Sequence, residues 1–358
     1  MKINMEKPKI EIILEEVVRR KASDLHMQVG LPPILRVDGA LTAFSAIGEL
    51  DGPTIENLIF PLLDQDQKQI LLKEKEFDFS FAFGEMGRFR VNLFHERGNL
   101  AGAFRLLNND IPTIEQLKLP PIIDKFADFP RGLVLVTGPT GSGKSTTLAA
   151  MINRINQEKA MHIITIEDPI EYTHMSKKSV IVQREVHYDT YSFSVALRSV
   201  LREDPDVVLL GEMRDLETIS NAITIAETGH LVLATLHTNG AAQSIDRMID
   251  VFPPHQQAQV RSQLSTILMA IVSQRLIPSV GGGRIPAAEI LVANSAVRNL
   301  IREGKTQQIE AIIQTGSEFG MQSMDKTLTG LVHGGEISYD EARNYAVDLK
   351  ELDRMMRE

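Results

Sequence analysis

The sequence predicts two domains, a small α+β domain followed by a larger α/β domain with a central parallel sheet. A length of 358 residues is enough for about two domains that each bury a core. Segment 77–83 alternates strictly between phenylalanine and other residues, whereas the chain after Arg131 contains short apolar runs separated by helical stretches. We place the domains at residues 1–107 and 131–358, joined by a proline-punctuated linker at 108–130.

The first domain is predicted to begin with a helix and to continue mainly as strands. Helical spacing of apolar residues indicates helices over 10–20 and 54–73. Turn-forming clusters separate runs with strand character, and the four phenylalanines of 77–83 would line one face of a half-buried strand. The strands are predicted at 24–29, 34–38, 77–83, 88–94 and 101–106.

The second domain is predicted to alternate strands and helices around a sheet that is buried on both faces. Its strands read as continuous apolar runs, which is typical of parallel sheets covered by helices. These runs lie at 133–137, 162–166, 207–211 and 231–235. Helices are predicted at 144–157, 194–202, 216–227 and 256–276, and the tail after Asn294 is helical and polar.

Composition excludes several classes of protein. The 38 basic and 47 acidic residues give a net charge of −9, which argues against a surface wrapped broadly in nucleic acid. Cysteine is absent, so disulfides, thiol nucleophiles and cysteine-ligated zinc are excluded, and a reducing compartment is favoured. No run approaches the roughly 18 apolar residues of a membrane span, and the start lacks the apolar core of a signal peptide. We therefore expect a cytoplasmic protein that inserts into no membrane.

A phosphate-binding loop follows the first strand of the second domain. Segment 138–145 matches G-x-x-x-x-G-K-[ST] at every fixed position, between a predicted strand and a predicted helix. Its glycines would let backbone N–H groups face phosphate oxygens, with the helix dipole directed at the same anion. Lys144 is expected to reach the β- and γ-phosphates of ATP, and Ser145 to bind Mg²⁺. The expected nucleotide-binding residues are Gly138, Pro139, Thr140, Gly141, Ser142, Gly143, Lys144, Ser145 and Thr146.

Acidic residues follow two predicted strands at the edge where ligands of open α/β sheets bind. Glu167 and Asp168 come after one strand, and Glu212 lies just beyond another. A nucleotide hydrolase needs one carboxylate to orient or deprotonate the attacking water and others to hold magnesium through its water shell. We expect Glu212 in the first role and Glu167 and Asp168 in the second. The alternative is that these residues only cap the next helix.

A histidine ends the fourth predicted strand. His237 lies in the segment Leu-His-Thr-Asn at 236–239, at the same edge of the sheet. Its imidazole could sense the γ-phosphate or a neighbouring subunit, because its charge responds to nearby anions. The alternative is a hydrogen-bonded structural histidine, which is the interpretation we favour for His230 at the start of that strand.

Together these motifs resemble those of the secretion superfamily of hexameric ATPases, and within it the type IV pilus retraction ATPases. The similar segments are 138–146 (Walker A), 165–172 (Asp box), 204–215 (Walker B) and 228–238 (His box), with 22–26 and 30–33 in the first domain. The resemblance covers nearly the whole chain. It implies a RecA-like P-loop ATPase domain after a PAS-like N-terminal domain, and catalytic roles for Glu167, Glu212 and His237.

Segment 296–303, Ala-Val-Arg-Asn-Leu-Ile-Arg-Glu, resembles the retraction-specific AIRNLIRE motif with Val297 in place of isoleucine. Assembly ATPases of the superfamily usually carry an extra N-terminal domain and a four-cysteine zinc insertion, which are not expected here. The accessory retraction ATPases remain an alternative, because segments 111–121 and 348–357 are also similar to theirs. Segments 211–215 and 296–303 favour the principal retraction ATPases.

The resemblance implies a homohexamer in which the first domain of one subunit packs on the ATPase domain of the next. A guanidinium from the neighbour would stabilise the negative charge of the phosphoryl transition state. Arg88, Arg90 and Arg105 lie on predicted strands of the first domain, where the trans-acting arginines of the family reside. The alternative is that they are solvated, or pair with Asp78 and Glu85.

The leading hypothesis is a magnesium-dependent ring ATPase that powers pilus retraction, and thereby twitching motility. Its expected partners are the inner-membrane platform protein of the pilus and a second retraction ATPase, with only peripheral association with the membrane. A nucleic-acid ring motor would need a basic channel with aromatic side chains, whereas aromatics are 5% of the chain and tryptophan is absent. A ring scaffold that binds ATP without hydrolysing it is the third hypothesis, and Glu212 argues against it.

Overall fold

The computed structural model describes residues 9–37, 39–84, 86–107 and 110–357. The chain divides into two compact units, each with its own sheet and hydrophobic core. One unit extends to Asp110 and includes Pro169–Thr173, and the other consists of Ile111–Asp168 and the chain from His174 onward. Glu85, and residues 1–8, 38, 108, 109 and 358 of the ranges given above, lie outside the described residues.

The first unit is built on a six-stranded antiparallel sheet with the order β3-β2-β1-β6-β5-β4. Alternation along β5 places Phe89, Val91 and Leu93 in the core and leaves Arg88 and Arg90 on the opposite face. The strands are β1 (Asp24–Met27), β2 (Ile34–Val37), β3 (Ala40–Ala43), β4 (Glu76–Phe83), β5 (Gly87–Glu96) and β6 (Asn99–Leu107). All four residues of β3 are exposed, so no apolar pattern predicted that strand.

The helices of the first unit are α1 (Ile10–Arg19), α2 (Gly52–Ile59) and α3 (Gln65–Glu74). The single helix predicted over 54–73 is wrong, because a 3₁₀ turn at Phe60–Leu62 separates α2 from α3. Pro61 lacks an N–H for a continuous helix, and the side chain of Asp64 caps α3 by accepting a hydrogen bond from Gln67 N.

The second unit is built on a seven-stranded sheet with the order β13-β12-β7-β11-β10-β8-β9. All neighbouring strands are parallel except β13, which is antiparallel to β12. Leu133 and Leu135 enter one hydrophobic cluster and Val134 and Val136 the other, so both faces of β7 are covered. The strands are β7 (Gly132–Thr137), β8 (His162–Glu167), β9 (Val180–Glu185), β10 (Val207–Leu210), β11 (Leu231–Leu236), β12 (Leu268–Pro278) and β13 (Arg284–Val292).

Eleven α-helices are described in the second unit. They are α4 (Ile122–Phe126), α5 (Lys144–Glu158), α6 (Phe193–Val200), α7 (Leu216–Glu227), α8 (Ala241–Asp250), α9 (Pro254–Ile267), α10 (Ser295–Glu303), α11 (Ile309–Thr315), α12 (Met324–His333), α13 (Tyr339–Tyr345) and α14 (Leu349–Met355). Short 3₁₀ turns lie at Thr306–Gln308 and Ser317–Phe319. In the part of the chain that the structure describes, no helix combines the length and the apolar character of a membrane span.

The helix predicted over 256–276 is wrong in its second half. Helix α9 ends at Ile267, and strand β12 begins at the next residue. The run from Leu268 is apolar and continuous, and such a run fits a buried strand as well as a buried helix. The sheet settles the choice, because β12 pairs with both β7 and β13 and thereby satisfies its backbone groups.

Candidate nucleotide-binding and hydrolytic site

The phosphate-binding loop connects β7 to α5 at the carboxyl edge of the parallel sheet. Gly138 follows β7 directly, and Gly143 is the N-cap of α5 with φ = 89°, a conformation that glycine adopts without strain. Gly143 has no side chain that could cap the helix. The N-terminus of α5 therefore points its dipole at the loop, where it favours an anionic ligand.

Lys144 and Ser142 give the loop its polar interior. Lys144 Nζ donates to the carbonyl oxygens of Gly138 at 2.9 Å and Pro139 at 3.0 Å, and the residue is only 8% exposed. Ser142 is buried, and its Oγ has no hydrogen-bond partner among the described residues. A buried hydroxyl without a partner costs free energy, so a ligand that accepts a hydrogen bond would stabilise it. Because a phosphate oxygen could accept the hydrogen bond of the Ser142 hydroxyl, the loop fits the phosphates of a nucleotide.

The other predicted site residues of the second unit lie at or just beyond the carboxyl ends of β11, β10 and β8, which follow β7 in the sheet in that order. Strands β7, β11, β10 and β8 lie side by side in parallel, with Thr137 opposite Leu236 and Leu210 opposite Ile166. His237, Glu212 and Glu167 therefore lie at the same edge of the sheet as the loop. The positions of these three residues agree with the expectation from parallel topology, and their catalytic roles stay predictions.

Glu212 lies between the side chains of Arg214 and His237. Arg214 Nη2 donates to Glu212 Oε2 at 2.6 Å, and His237 Nε2 lies 3.4 Å from Glu212 Oε1. Burial by itself raises the pKa of Glu212, but the hydrogen bond from Arg214 and the charges of His237, Arg214 and Lys144 lower it below its usual value. Glu212 is therefore ionised at neutral pH, and the positive charge of Lys144 reaches it.

Glu167 is fixed by its neighbours on β8 and β9. Its Oε1 accepts hydrogen bonds from Thr165 Oγ1 at 2.7 Å and from Gln183 Nε2 at 3.2 Å. Asp168 is exposed beside it, and its charge contributes to the raised pKa of Arg214, for which the hydrogen bond to Glu212 is the main cause. No group of three or more acidic or histidine side chains that could hold a metal occurs among the described residues. A magnesium ion bound at Ser145 would take its remaining ligands from phosphate oxygens and water, which Mg²⁺ prefers to an all-protein site.

The three candidate arginines share one face of the sheet in the first unit. Arg90 lies opposite Arg105 across β5 and β6, and Arg88 lies two residues from Arg90 on β5. Arg105 Nε donates to Asp24 Oδ1 at 2.9 Å, and Arg88 donates to the hydroxyl of Ser80. Burial opposes ionisation of Asp24, but hydrogen bonds from Ser23 and Arg105 lower its pKa. Arg90 is exposed.

The segment that resembles AIRNLIRE forms α10, and its two arginines face different surroundings. Arg298 donates to the carbonyl oxygens of Ala293 and Ser265 at 2.9 and 2.8 Å, and also to that of Thr266. Burial lowers the pKa of Arg298. Arg302 and Asn299 are exposed. One arginine thus joins α10 to the end of α9, while the other is available to a partner.

Two residues near the loop escaped sequence reasoning. Gln274 on β12 is buried against the loop, and Arg214 holds Glu212. Arg214 stands two residues from Glu212, so its charge was a usable signal. Beside the loop is a cleft of about 340 Å³, and Thr146 and Gln274 are among its lining residues. Its other walls include Leu117, Leu276, Arg284 and Glu336.

Comparisons with known proteins agree with this geometry. A family model described as "Type II/IV secretion system protein" matches residues 113–344. The type IV pilus retraction ATPase PilT of Pseudomonas aeruginosa is 51% identical over 328 residues, 92% of this chain and 95% of that protein. The type IV pilus ATPase PilU of the same organism is 39% identical over 348 residues, 97% of this chain and 91% of PilU.

A crystal structure of the pilus retraction motor PilT with bound ADP has a TM-score of 0.92 to this chain at 48% identity. The match covers 97% of this chain and 99% of that one. The predicted fold class, a P-loop α/β domain with a smaller N-terminal α+β domain, is thereby confirmed.

Proposed function

This chain belongs to the type II/IV secretion system protein family, and we propose that within it the protein is an ATPase that powers retraction of the type IV pilus. The observation that carries the proposal is the placement of ionised Glu212 at the same sheet edge as the phosphate-binding loop. Identity to PilT exceeds identity to PilU, 51% against 39%, and supports the principal retraction role over the accessory one.

The loop and the adjacent cleft bind different parts of the nucleotide. Backbone N–H groups at the start of α5 and the ammonium of Lys144 bind the phosphates. The cleft next to Thr146 combines apolar Leu117 and Leu276 with polar Gln274, and we assign the nucleoside to it. A magnesium ion held by Ser145, with Glu167 and Asp168 reached through water, would neutralise charge on the phosphate oxygens.

Glu212 acts on the attacking water. Its lowered pKa keeps the carboxylate ionised and makes it a weak base, so it orients the water by accepting a hydrogen bond more than it removes a proton before attack. Arg214 fixes the carboxylate by a short hydrogen bond. His237 follows β11, and its Nε2 lies 3.4 Å from Glu212 Oε1. A change in the charge of this imidazole would therefore shift the position of the carboxylate.

The working form is a cytoplasmic homohexamer, peripherally attached to the inner membrane through the pilus platform protein. Within the ring, the arginine face of one subunit's first unit would supply a guanidinium to the nucleotide of its neighbour. A second retraction ATPase is an expected partner. The net charge of −9 supports the absence of a nucleic-acid partner.

The test is the substitution Glu212→Gln, which keeps the shape of the side chain and removes its charge. Turnover of Mg·ATP should fall by about 100-fold or more, while the Kd for Mg·ATP stays within a few fold. Phosphate release and nucleotide titration on the purified assembly measure the two quantities. Glu217→Gln is the matched control, because it makes the same change on an exposed side chain of α7 that pairs with Arg198.

Two outcomes would contradict the proposal. Full turnover in the Glu212 variant would remove this residue from the mechanism. A wild-type assembly that binds Mg·ATP and releases no phosphate would favour the scaffold hypothesis.

A further inference from the structure

Gln274 connects the two ends of the phosphate-binding loop to strand β12. The strand lies next to β7 in the sheet, with Ser273 opposite Thr137, the last residue before the loop. Gln274 is 3% exposed and therefore lies in the interior beside the point where the loop begins. Ser273 Oγ and Thr137 Oγ1 are 2.9 Å apart, which adds a polar contact between the two strands at this level.

The backbone of Gln274 touches the first glycine of the loop. A Cβ atom added to Gly138 would lie 2.2 Å from the carbonyl oxygen of Gln274, far inside contact distance. Backbone cannot yield as the end of a flexible side chain does. Gly138 is therefore required here because β12 packs directly against the loop.

The side chain of Gln274 touches the other end of the loop. Thr147 Oγ1, in the first turn of α5, donates to Gln274 Oε1 at 2.8 Å, and both groups are buried. A Cβ atom added to Gly143, the N-cap of α5, would lie 2.8 Å from Gln274 Nε2. One residue of β12 thus contacts the start of the loop with its backbone and the start of the helix with its amide.

We infer that Gln274 is a positioning residue that sets the distance between the start of the loop and the N-terminus of α5. The N–H groups that bind phosphate lie between these two points, so the distance between the points determines how well the N–H groups fit the anion. Gln274 also lines the cleft assigned to the nucleoside. The inference rests on the proposed ATPase function, because it concerns the site at which the nucleotide binds.

The variant Gln274→Met tests the inference, because methionine keeps the length of the side chain and removes the amide. Loss of one buried hydrogen bond that orders the loop should raise the Kd for Mg·ATP by about tenfold. KM should rise with it, and kcat should change less, because Glu212 and the residues around it are untouched. Titration with a fluorescent ADP analogue and steady-state phosphate release measure these values on the intact assembly.

Thr147→Val removes the same hydrogen bond from the other side and is the second variant, in case the first does not fold. It should reproduce the rise in Kd, and the double variant should bind no more weakly than the weaker single one, since both remove one interaction. Gln274→Glu keeps an acceptor for Thr147 but adds a negative charge beside Gly143. The buried carboxylate should lower the melting temperature, and the folded variant should bind ATP more weakly than Gln274→Met, because that charge repels phosphate.

Several outcomes would overturn the inference. One is a normal Kd and KM in both Gln274→Met and Thr147→Val with lowered melting temperatures, which is what a residue that only fills the core would give. Strictly additive effects in the double variant would also overturn it. Failure of the proposed function is distinguishable, because wild type itself would then release no phosphate from Mg·ATP in the same assays, whether or not it binds the nucleotide.

Discussion

The two sheets of this chain present their charged residues in opposite ways. In the second unit, residues from separate strands meet at one edge, where parallel topology brings Glu167, Glu212 and His237 to the level of the phosphate-binding loop. In the first unit, Arg88, Arg90 and Arg105 are spread along one face of an antiparallel sheet. We expect one chain to supply the binding site at the edge, whereas the arginine face would gain a catalytic use only from a subunit that packs on it.

The largest effect should come from Lys144→Ala, at the carboxyl edge of the sheet in the second unit. Loss of the ammonium should abolish measurable Mg·ATP binding, and turnover with it, because charge-assisted contacts to phosphate are lost. The fold should stay intact, since Lys144 bonds only to carbonyls of its own loop in the contacts described above. Isothermal titration measures binding, and far-UV circular dichroism checks the fold.

Lys125→Ala, on an exposed lysine of the same unit, is the control and should bind normally. Tight binding of Mg·ATP by the Lys144 variant would mean that the loop assignment is wrong.

The next largest effect is expected on the arginine-bearing face of the sheet in the first unit. It is measured by comparing Arg90→Ala with Arg105→Ala in the assembled protein. An arginine that reaches a neighbour's nucleotide contributes about 1000-fold or more to turnover, and exposed Arg90 is the better candidate. Arg105 is already paired with Asp24, so its loss should cost no more than about 1 kcal/mol of stability. Phosphate release and thermal melts measure the two effects.

If neither substitution slows turnover of an intact ring, the face has no catalytic use and the comparison between the two sheets fails. A larger loss with Arg105→Ala would instead move the role to that residue, and Asp24→Asn would then be informative as the variant that releases it.

The smallest effect on basal hydrolysis is expected from Arg302→Glu in α10. The residue is exposed and lies outside the site, so turnover should stay within about twofold of wild type. Pilus-dependent surface motility of complemented cells should be lost, because we expect the exposed side of α10 to transmit force to a partner. Arg298→Gln is the contrasting variant and should lower stability by about 2 kcal/mol, since it leaves buried carbonyls without their donor. Equal loss of hydrolysis and motility in the Arg302 variant would place α10 in the catalytic core.

Sequence reasoning succeeded where a short segment carries its own signal. The strand, loop and helix around Gly138 to Lys144 are local in sequence, and the positions of Glu212 and His237 at strand ends were predictable because each follows a buried apolar run. It failed for β9 and β13, since Val180–Glu185 is only partly buried and Pro286 interrupts the strand pattern of Arg284–Val292.

Gln274 shows why part of the site was beyond reach. Its hydrogen-bond partner Thr147 lies 127 residues away in sequence, and β12 was assigned to a helix, which would have placed Gln274 far from the loop. A polar residue within an apolar run was the available signal. A catalytic role for the arginines could not be derived from the residues of one chain either, because such a role would depend on a second subunit.

The junction after α9 has a mechanical consequence. Helix α9 passes into β12 without a loop, and Arg298 fastens α10 to the carbonyl of Ser265 just before that junction. We therefore expect a small displacement of β12 at its end beside the phosphate-binding loop to reach the outer surface of α10, because no loop lies between α9 and β12 to absorb it. A movement that the chemistry produces would accordingly travel along a stiff route within one subunit.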